Sequence, residues 1–202
     1  MNCLFRLPRN DVTTLQDWLN DLAGGDEIRA EEAVSALIEL GEEAIPLLLE
    51  LTKSKDADAR WWALRVLAQS PHSRSEWLVP FLNDPAIEVR QCAALGLSLK
   101  PDESAIQPLV RALSDEDPLA SNLAVKALVR IDKAAVPSLI EAVKSGSQSS
   151  RILALRALVE IRDQRAIPVM MQVMNEDSAL LQHWAKEGLE RLGLDMVYMK
   201  PV

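Results

Sequence analysis

One phrase recurs six times along this chain, at intervals of 30 or 31 residues. The copies are DEIRAEEAVSAL (26–37), DADARWWALRVL (56–67), DPAIEVRQCAALGL (84–97), DPLASNLAVKAL (117–128), SGSQSSRILALRAL (145–158) and EDSALLQHWAKEGL (176–189). Aligned, they form an alanine column (Ala33, Ala63, Ala93, Ala124, Ala154, Ala185) and a leucine column (Leu37, Leu67, Leu97, Leu128, Leu158, Leu189). A period this long and this regular excludes one core assembled from unlike segments. It calls for copies of one small unit, each burying its apolar face against the next.

Residues 84–115 show the unit. Apolar residues at 86, 89, 93 and 97 have helical spacing, with Asp84 as the expected N-cap and Pro85 suited to the first turn. KPDE breaks the pattern, and SAIQPLVRAL supplies a second helical face. The second helices align as AIPLLLEL (44–51), SEWLVPFL (75–82), AIQPLVRAL (105–113), AVPSLIEAV (135–143) and AIPVMMQV (166–173). Pro46, Pro108, Pro137 and Pro168 fall in the first turn, where a missing N–H costs little. Pro80 lies deeper, so that helix is expected to be short or bent. No strand alternation occurs, and no sheet is expected. The fold predicted is all-α: a right-handed α-solenoid of about five helix-turn-helix repeats with terminal capping helices. Residues 1–25 read as an N-terminal segment and capping helix, with Leu15, Trp18, Leu19 and Leu22 on one face. Residues 26–192 read as one continuous array and 193–202 as a tail.

The unit D-x-x-x-R-x-x-A-x-x-A-L, followed by A-I/V-x-P-L-I-x-A-L, resembles the HEAT repeat. More narrowly, AVSALIELGEEAIPLLLEL (33–51) with ARWWALRVLA (59–68) is similar to the HEAT-like repeats of phycobilisome lyases. The resemblance covers about residues 26–192. In the bilin-lyase branch, two related subunits act together on an open-chain tetrapyrrole carried by a phycobiliprotein cysteine. The resemblance therefore implies an open-chain bilin or a phycobiliprotein as partner under that reading, while the repeat class as a whole serves many roles.

Function classes narrow by exclusion. The net charge is −8, which disfavours binding to a phosphate backbone, and nucleic acid is not expected as a partner. A helical-repeat DNA glycosylase needs a basic face with stacking aromatics, whereas here Glu50, Arg111 and Glu141 mix their signs. His72 and His183 are far apart, and Cys3 and Cys92 make no ligand spacing, so neither a metal nor a cofactor is expected. Cys92 reads as a small buried hydrophobe. No glycine-rich phosphate loop or G-x-S-x-G element is present. No run of about 20 apolar residues occurs, and MNCLFRLPRN lacks a signal-peptide pattern, so a cytoplasmic location is expected.

Candidate binding residues lie on the second helices, which line the concave face in this repeat class. One column reads Leu47, Trp77, Pro108, Ser138 and Val169, and one turn on stand Glu50, Pro80, Arg111, Glu141 and Gln172. The predicted partner-binding ribbon is Leu47, Glu50, Trp77, Pro80, Arg111, Ser138, Glu141, Val169 and Gln172. Trp77 is either an interface anchor or a filler beside the irregular turn 70–75. Arg60, Arg90 and Arg151 form a column that reads as an exposed Arg–Asp ladder or as an anion-binding row. Trp18, Trp62 and Trp184 read as packing residues and Trp61 as half-exposed. Arg65, Lys126 and Arg156 read as solvated charge on the outer face. The function expected is a non-enzymatic scaffold holding another protein on its concave face; the alternative is a bilin lyase or chromophore-handling subunit.

Overall fold

The computed structural model describes residues 14–194, which are all-helical and contain no strand. Residues 195–202 of the expected tail, and Cys3, lie outside the described residues. The chain divides into two compact units, with the boundary between Ser73 and Arg74.

The first unit holds α1 (Leu15–Ala23), α2 (Glu27–Leu40), α3 (Ile45–Leu51) and α4 (Ala57–Gln69). Thr14 closes α1 with a capping box: its hydroxyl accepts from the Asp17 N–H, while the Asp17 carboxylate accepts from the Thr14 N–H. Leu19 and Leu22 are buried, α1 packs on α2, and α2 packs on α4. The second unit holds α5 (Ile87–Leu99), α6 (Ile106–Ala112), α7 (Pro118–Ile131), α8 (Val136–Ser145), α9 (Gln148–Ile161), α10 (Ile167–Val173) and α11 (Ala179–Arg191). Helices α5, α7, α9 and α11 pack side by side as one layer, and α6, α8 and α10 follow one another as the other. This is the helix-pair stacking of an α-solenoid.

The two columns explain the stacking. Five of the six leucines and all six alanines are 0% exposed, and the remaining leucine, Leu97, is 1% exposed. Leucine fills the space between layers, and alanine lets neighbouring first helices approach. Gly188 takes this further on α11: a Cβ there would lie 2.6 Å from the Met170 Cε and 3.0 Å from Val159 Cγ2.

The turns depart from expectation in three places. Asp84 is not the N-cap of α5. Its carboxylate accepts from the Ala86 N–H at 2.9 Å, the helix starts at Ile87, and Ala86 occupies the cap position. Asp117, by contrast, caps α7 as its sequence suggests, with Pro118 at the first position. The segment around Pro80 forms no α-helix. It makes two 3-10 turns, Ser75–Trp77 and Val79–Asn83, because Pro80 has no N–H to donate. Each of α3, α6, α8 and α10 is also entered through a 3-10 turn, which tightens the corner from the first helix.

Two of these corners share one backbone geometry with different residues. Gly41 has φ 65° and ψ −128°, and Asp132 has φ 63° and ψ −136°. This is the first central position of a type II′ turn, where an L side chain is strained. Asp132→Gly is therefore expected to stabilise the protein by about 1 kcal/mol, read as a raised midpoint of thermal unfolding. An unchanged or lowered midpoint would show that the corner stores no strain.

Candidate partner-binding surface

The second helices are short: α3, α6 and α10 have seven residues each and α8 has ten, with Leu48, Leu109, Leu139 and Met170 turned into the core. What remains outward is the set of residues singled out from the sequence.

In the first unit, α3 presents Leu47, 39% exposed, and Glu50, whose carboxylate meets Lys53 Nζ. These two residues line an open groove of about 430 Å³ between α1 and α3. Leu19, Ala23, Leu47 and Leu51 give it apolar walls; Gln16, Asn20, Glu50, Lys53 and Ser54 give it a polar rim. The groove depends on the capping helix, whose contribution to a site the sequence did not reveal.

In the second unit, Trp77 is half-buried at the end of its 3-10 turn, with the Arg74 guanidinium 5.7 Å from the ring centre. Pro80, Arg111, Glu141 and Gln172 are exposed. Ser138 is half-buried and accepts from Gln107 Nε2 at 2.9 Å, which ties α6 to α8. Glu141 pairs with Lys144 at 2.8 Å. Val169 departs from the predicted ribbon: at 3% exposure it packs inward with Met170 and Val173, and it offers no accessible surface.

The arginine column is structural and far less exposed than the sequence reading held. Arg60 and Arg90 are 9% and 8% exposed. Arg90 grips Asp115 with two parallel bonds, Nε to Oδ2 at 2.8 Å and Nη2 to Oδ1 at 3.0 Å. Its Nη1 donates to the Asp84 carbonyl at 3.0 Å. Arg60 donates to the carbonyls of Ser54 and Lys55, and Arg151 donates to the Val143 carbonyl and to Glu176. Arg60 and Arg90 thus satisfy backbone carbonyls in the turn before their own helices, which places them inside, while Arg151 is half-buried against the last turn of α8. The hydrogen bond from Arg90 to Asp115 holds the Arg90 pKa above its ordinary value, against the opposing effect of burial. These arginines have no free fork to offer an anion. Asp163 is a further locked carboxylate: its bond from the Arg165 side chain takes it down to about 2.

The outer charges are not simply solvated. Arg65 bonds to Glu31 on α2 and lies 5.3 Å from the ring centre of Trp61. Arg156 bonds to Asn122 on α7 at 2.8 Å and lies over Trp184. Both reach back 34 residues, a spacing that could have been read from the sequence. Trp62 is buried and Trp18, Trp61 and Trp184 are half-buried. Cys92, expected in the core, is half-buried, because its column lies at the edge of the helix–helix seam. His72 Nδ1 lies 3.3 Å from a Glu42 carboxylate oxygen, and the His183 ring packs on Trp184. Among the described residues no group of three His, Cys, Asp or Glu side chains could hold a metal ion, and no helix is long and apolar enough to cross a membrane.

Known proteins share this architecture. Residues 75–149 match the profile of the HEAT repeats, and residues 30–54 and 150–176 match that of the PBS lyase HEAT-like repeat. Over 101 residues the chain is 31% identical to the phycocyanobilin lyase subunit beta of Nostoc sp. PCC 7120, a match spanning 50% of each protein. The chain thus spans about half the length of this curated relative. An archaeal HEAT-like repeats protein from Thermococcus onnurineus NA1 superimposes with a TM-score of 0.63 at 15% identity, covering 91% of this chain and 82% of that one. An engineered protein does so with a TM-score of 0.52 at 22% identity, covering 90% and 99%. By these matches the chain carries HEAT repeats, some of them similar to the PBS lyase HEAT-like repeat.

Proposed function

We propose that this helical-repeat scaffold is a non-enzymatic adaptor that holds a segment of another protein against its second helices. The observation that carries the reading is the groove between α1 and α3, which combines apolar walls with a polar rim. Residues 14–73 carry twelve acidic and five basic side chains, so a segment with an apolar anchor and flanking lysine or arginine has the complementary chemistry. Arg111, Glu141 and Gln172 offer further polar contacts on the second unit. Trp77, half-buried, is a residue type that often dominates interfaces.

The test is affinity capture from the source cell with wild type, Leu47→Glu and the pair Trp77→Ala/Arg111→Glu, each first shown to keep its helicity. The expected result is one client lost at least about tenfold with one or both variants. Identical catches from all three proteins would remove the second helices as the binding face.

The identity to a phycocyanobilin lyase subunit favours a second reading, in which this chain serves as a chromophore-handling subunit acting on phycobiliproteins. Mixing with an open-chain bilin distinguishes the two. A shifted visible absorption band that depends on Trp77 or Leu47 supports the chromophore role, and an unaltered bilin spectrum supports the adaptor.

A further inference from the structure

The groove between α1 and α3 opens where the chain enters α1. Thr14, the cap residue of that helix, has extended backbone at φ −83° and ψ 160°. Gln16, two residues on, already lines the groove, followed along α1 by Leu19, Asn20 and Ala23. Spacings of three and four place these residues on one helix face. Ala23 is exposed, and Leu47 on the α3 wall is 39% exposed, so both walls keep apolar surface accessible among the described residues.

The sequence just before Thr14 has the chemistry this site asks for. Residues 1–13 read MNCLFRLPRNDVT, with Leu4, Phe5 and Leu7 as apolar side chains and Arg6 and Arg9 beside them. Residues 14–73 carry twelve acidic and five basic side chains, so the unit as a whole attracts the two arginines. Inside the groove Glu50 is already paired with Lys53. Apolar contact with Leu19, Ala23, Leu47 and Leu51 therefore sets the position, and charge only draws the segment in.

We infer that residues 1–13 of this chain dock in the groove through Leu4, Phe5 and Leu7, and that a client must displace them; the second half rests on the groove being the adaptor's binding site. Length permits the contact. From Gln16 to Ala23 helix α1 rises about 10 Å, whereas the chain from Phe5 to Thr14 spans up to about 30 Å. Asn10 and Asp11 are turn-forming types, and they stand where the segment has to reverse to run along α1. The tether supplies the segment at an effective concentration on the order of 1 mM. An affinity of roughly 100 µM then keeps the groove about nine-tenths filled. A client with the same apolar and basic pattern meets this competition at every encounter, so the chain sets a threshold for what it holds.

Limited trypsin digestion of the full chain tests the docking, with the rate of cleavage after Arg9 as the readout. Leu47→Glu alters the groove and leaves the cleaved sequence intact. Leu4→Asp/Phe5→Asp alters the segment, four residues or more from the cleaved bond, and leaves the helices intact. Each is expected to speed cleavage about tenfold with unchanged helicity, and the two together no further, because both release one contact. Equal rates in wild type and both variants overturn the inference. So does a wild-type rate that slows with protein concentration between roughly 1 and roughly 100 µM, which would put the segment on a second copy. Client capture tests the competition: the segment variant is expected to retain several-fold more client than wild type, and equal retention overturns that half. A lysate that yields no client for any variant counts against the adaptor reading alone, since the cleavage rates decide the docking without one.

Discussion

Replacing Arg90 with methionine is expected to destabilise the protein by about 3 kcal/mol or more, the largest effect of any single polar change considered for this chain. The reasoning starts from what the side chain leaves behind. Arg90 is 8% exposed, and its carboxylate partner Asp115 is also almost wholly covered, with 8% of its side chain accessible. Methionine fills much of the same space but donates nothing. The Asp115 carboxylate then keeps only the N–H of Asp117, at 2.8 Å, and the Asp84 carbonyl loses its donor at 3.0 Å. A buried charge stripped of its partner costs far more than the intact pair gains, because desolvation is no longer offset. The same logic sets the sign of the double change. Arg90→Met/Asp115→Leu removes both charges and is expected to recover a substantial part of the loss. Chemical denaturation followed by far-UV circular dichroism on the three variants measures it. A single variant within about 0.5 kcal/mol of wild type would place Arg90 among the ordinary surface arginines.

Arg90 also shows where sequence reading stopped. Its column and its acidic neighbours were legible, but its burial was not. A repeated Arg–Asp pattern looks the same whether the fork lies in water or beneath a turn, and only the carbonyls of Asp84 and Pro85, which no side-chain pattern records, draw it inside. The alanine and leucine columns were legible because packing between identical units imposes identical sizes, and the all-helical stack follows from them. Local turn chemistry was harder. Asp84 and Asp117 precede proline in the same way, yet only Asp117 caps a helix, because Asp84 closes its own turn onto Ala86 two residues on. In the predicted ribbon, alignment placed Val169 beside Leu47, but α10 turns it into the core, while α3 leaves Leu47 at the lip of a groove. Position in a repeat specifies the element; a small rotation of a two-turn helix decides which side chain meets solvent. The groove itself needed α1, which belongs to no repeat.

Ala93→Phe and Ala124→Phe are each expected to cost about 3 kcal/mol, although both add apolar surface. If either site had room, burying a phenyl ring would stabilise by a comparable amount, so the sign of the change is decisive. The structure argues for overpacking. Ala93 and Ala124 are 0% exposed, and they sit on α5 and α7 where the two helices run side by side. Ala94 and Ala127 beside them are 1% and 0% exposed, so neither site opens to solvent on that side. The ring must therefore separate the helices or leave its rotamer, and either loosens contacts along their length. In an array where each unit leans on its neighbours, that loss is shared with adjacent helices first. Amide exchange should accelerate most in α5 and α7 and least in α11. Lys126→Ala, an exposed change on the same helix as Ala124, serves as the control and should move stability by less than about 0.5 kcal/mol. Thermal midpoints are expected to fall by roughly 6–12 °C for the phenylalanine variants. A phenylalanine at either position that raised the midpoint would mean that the alanine column reflects something other than the closeness of the helices. The explanation of the six-fold column by packing would then have to be given up.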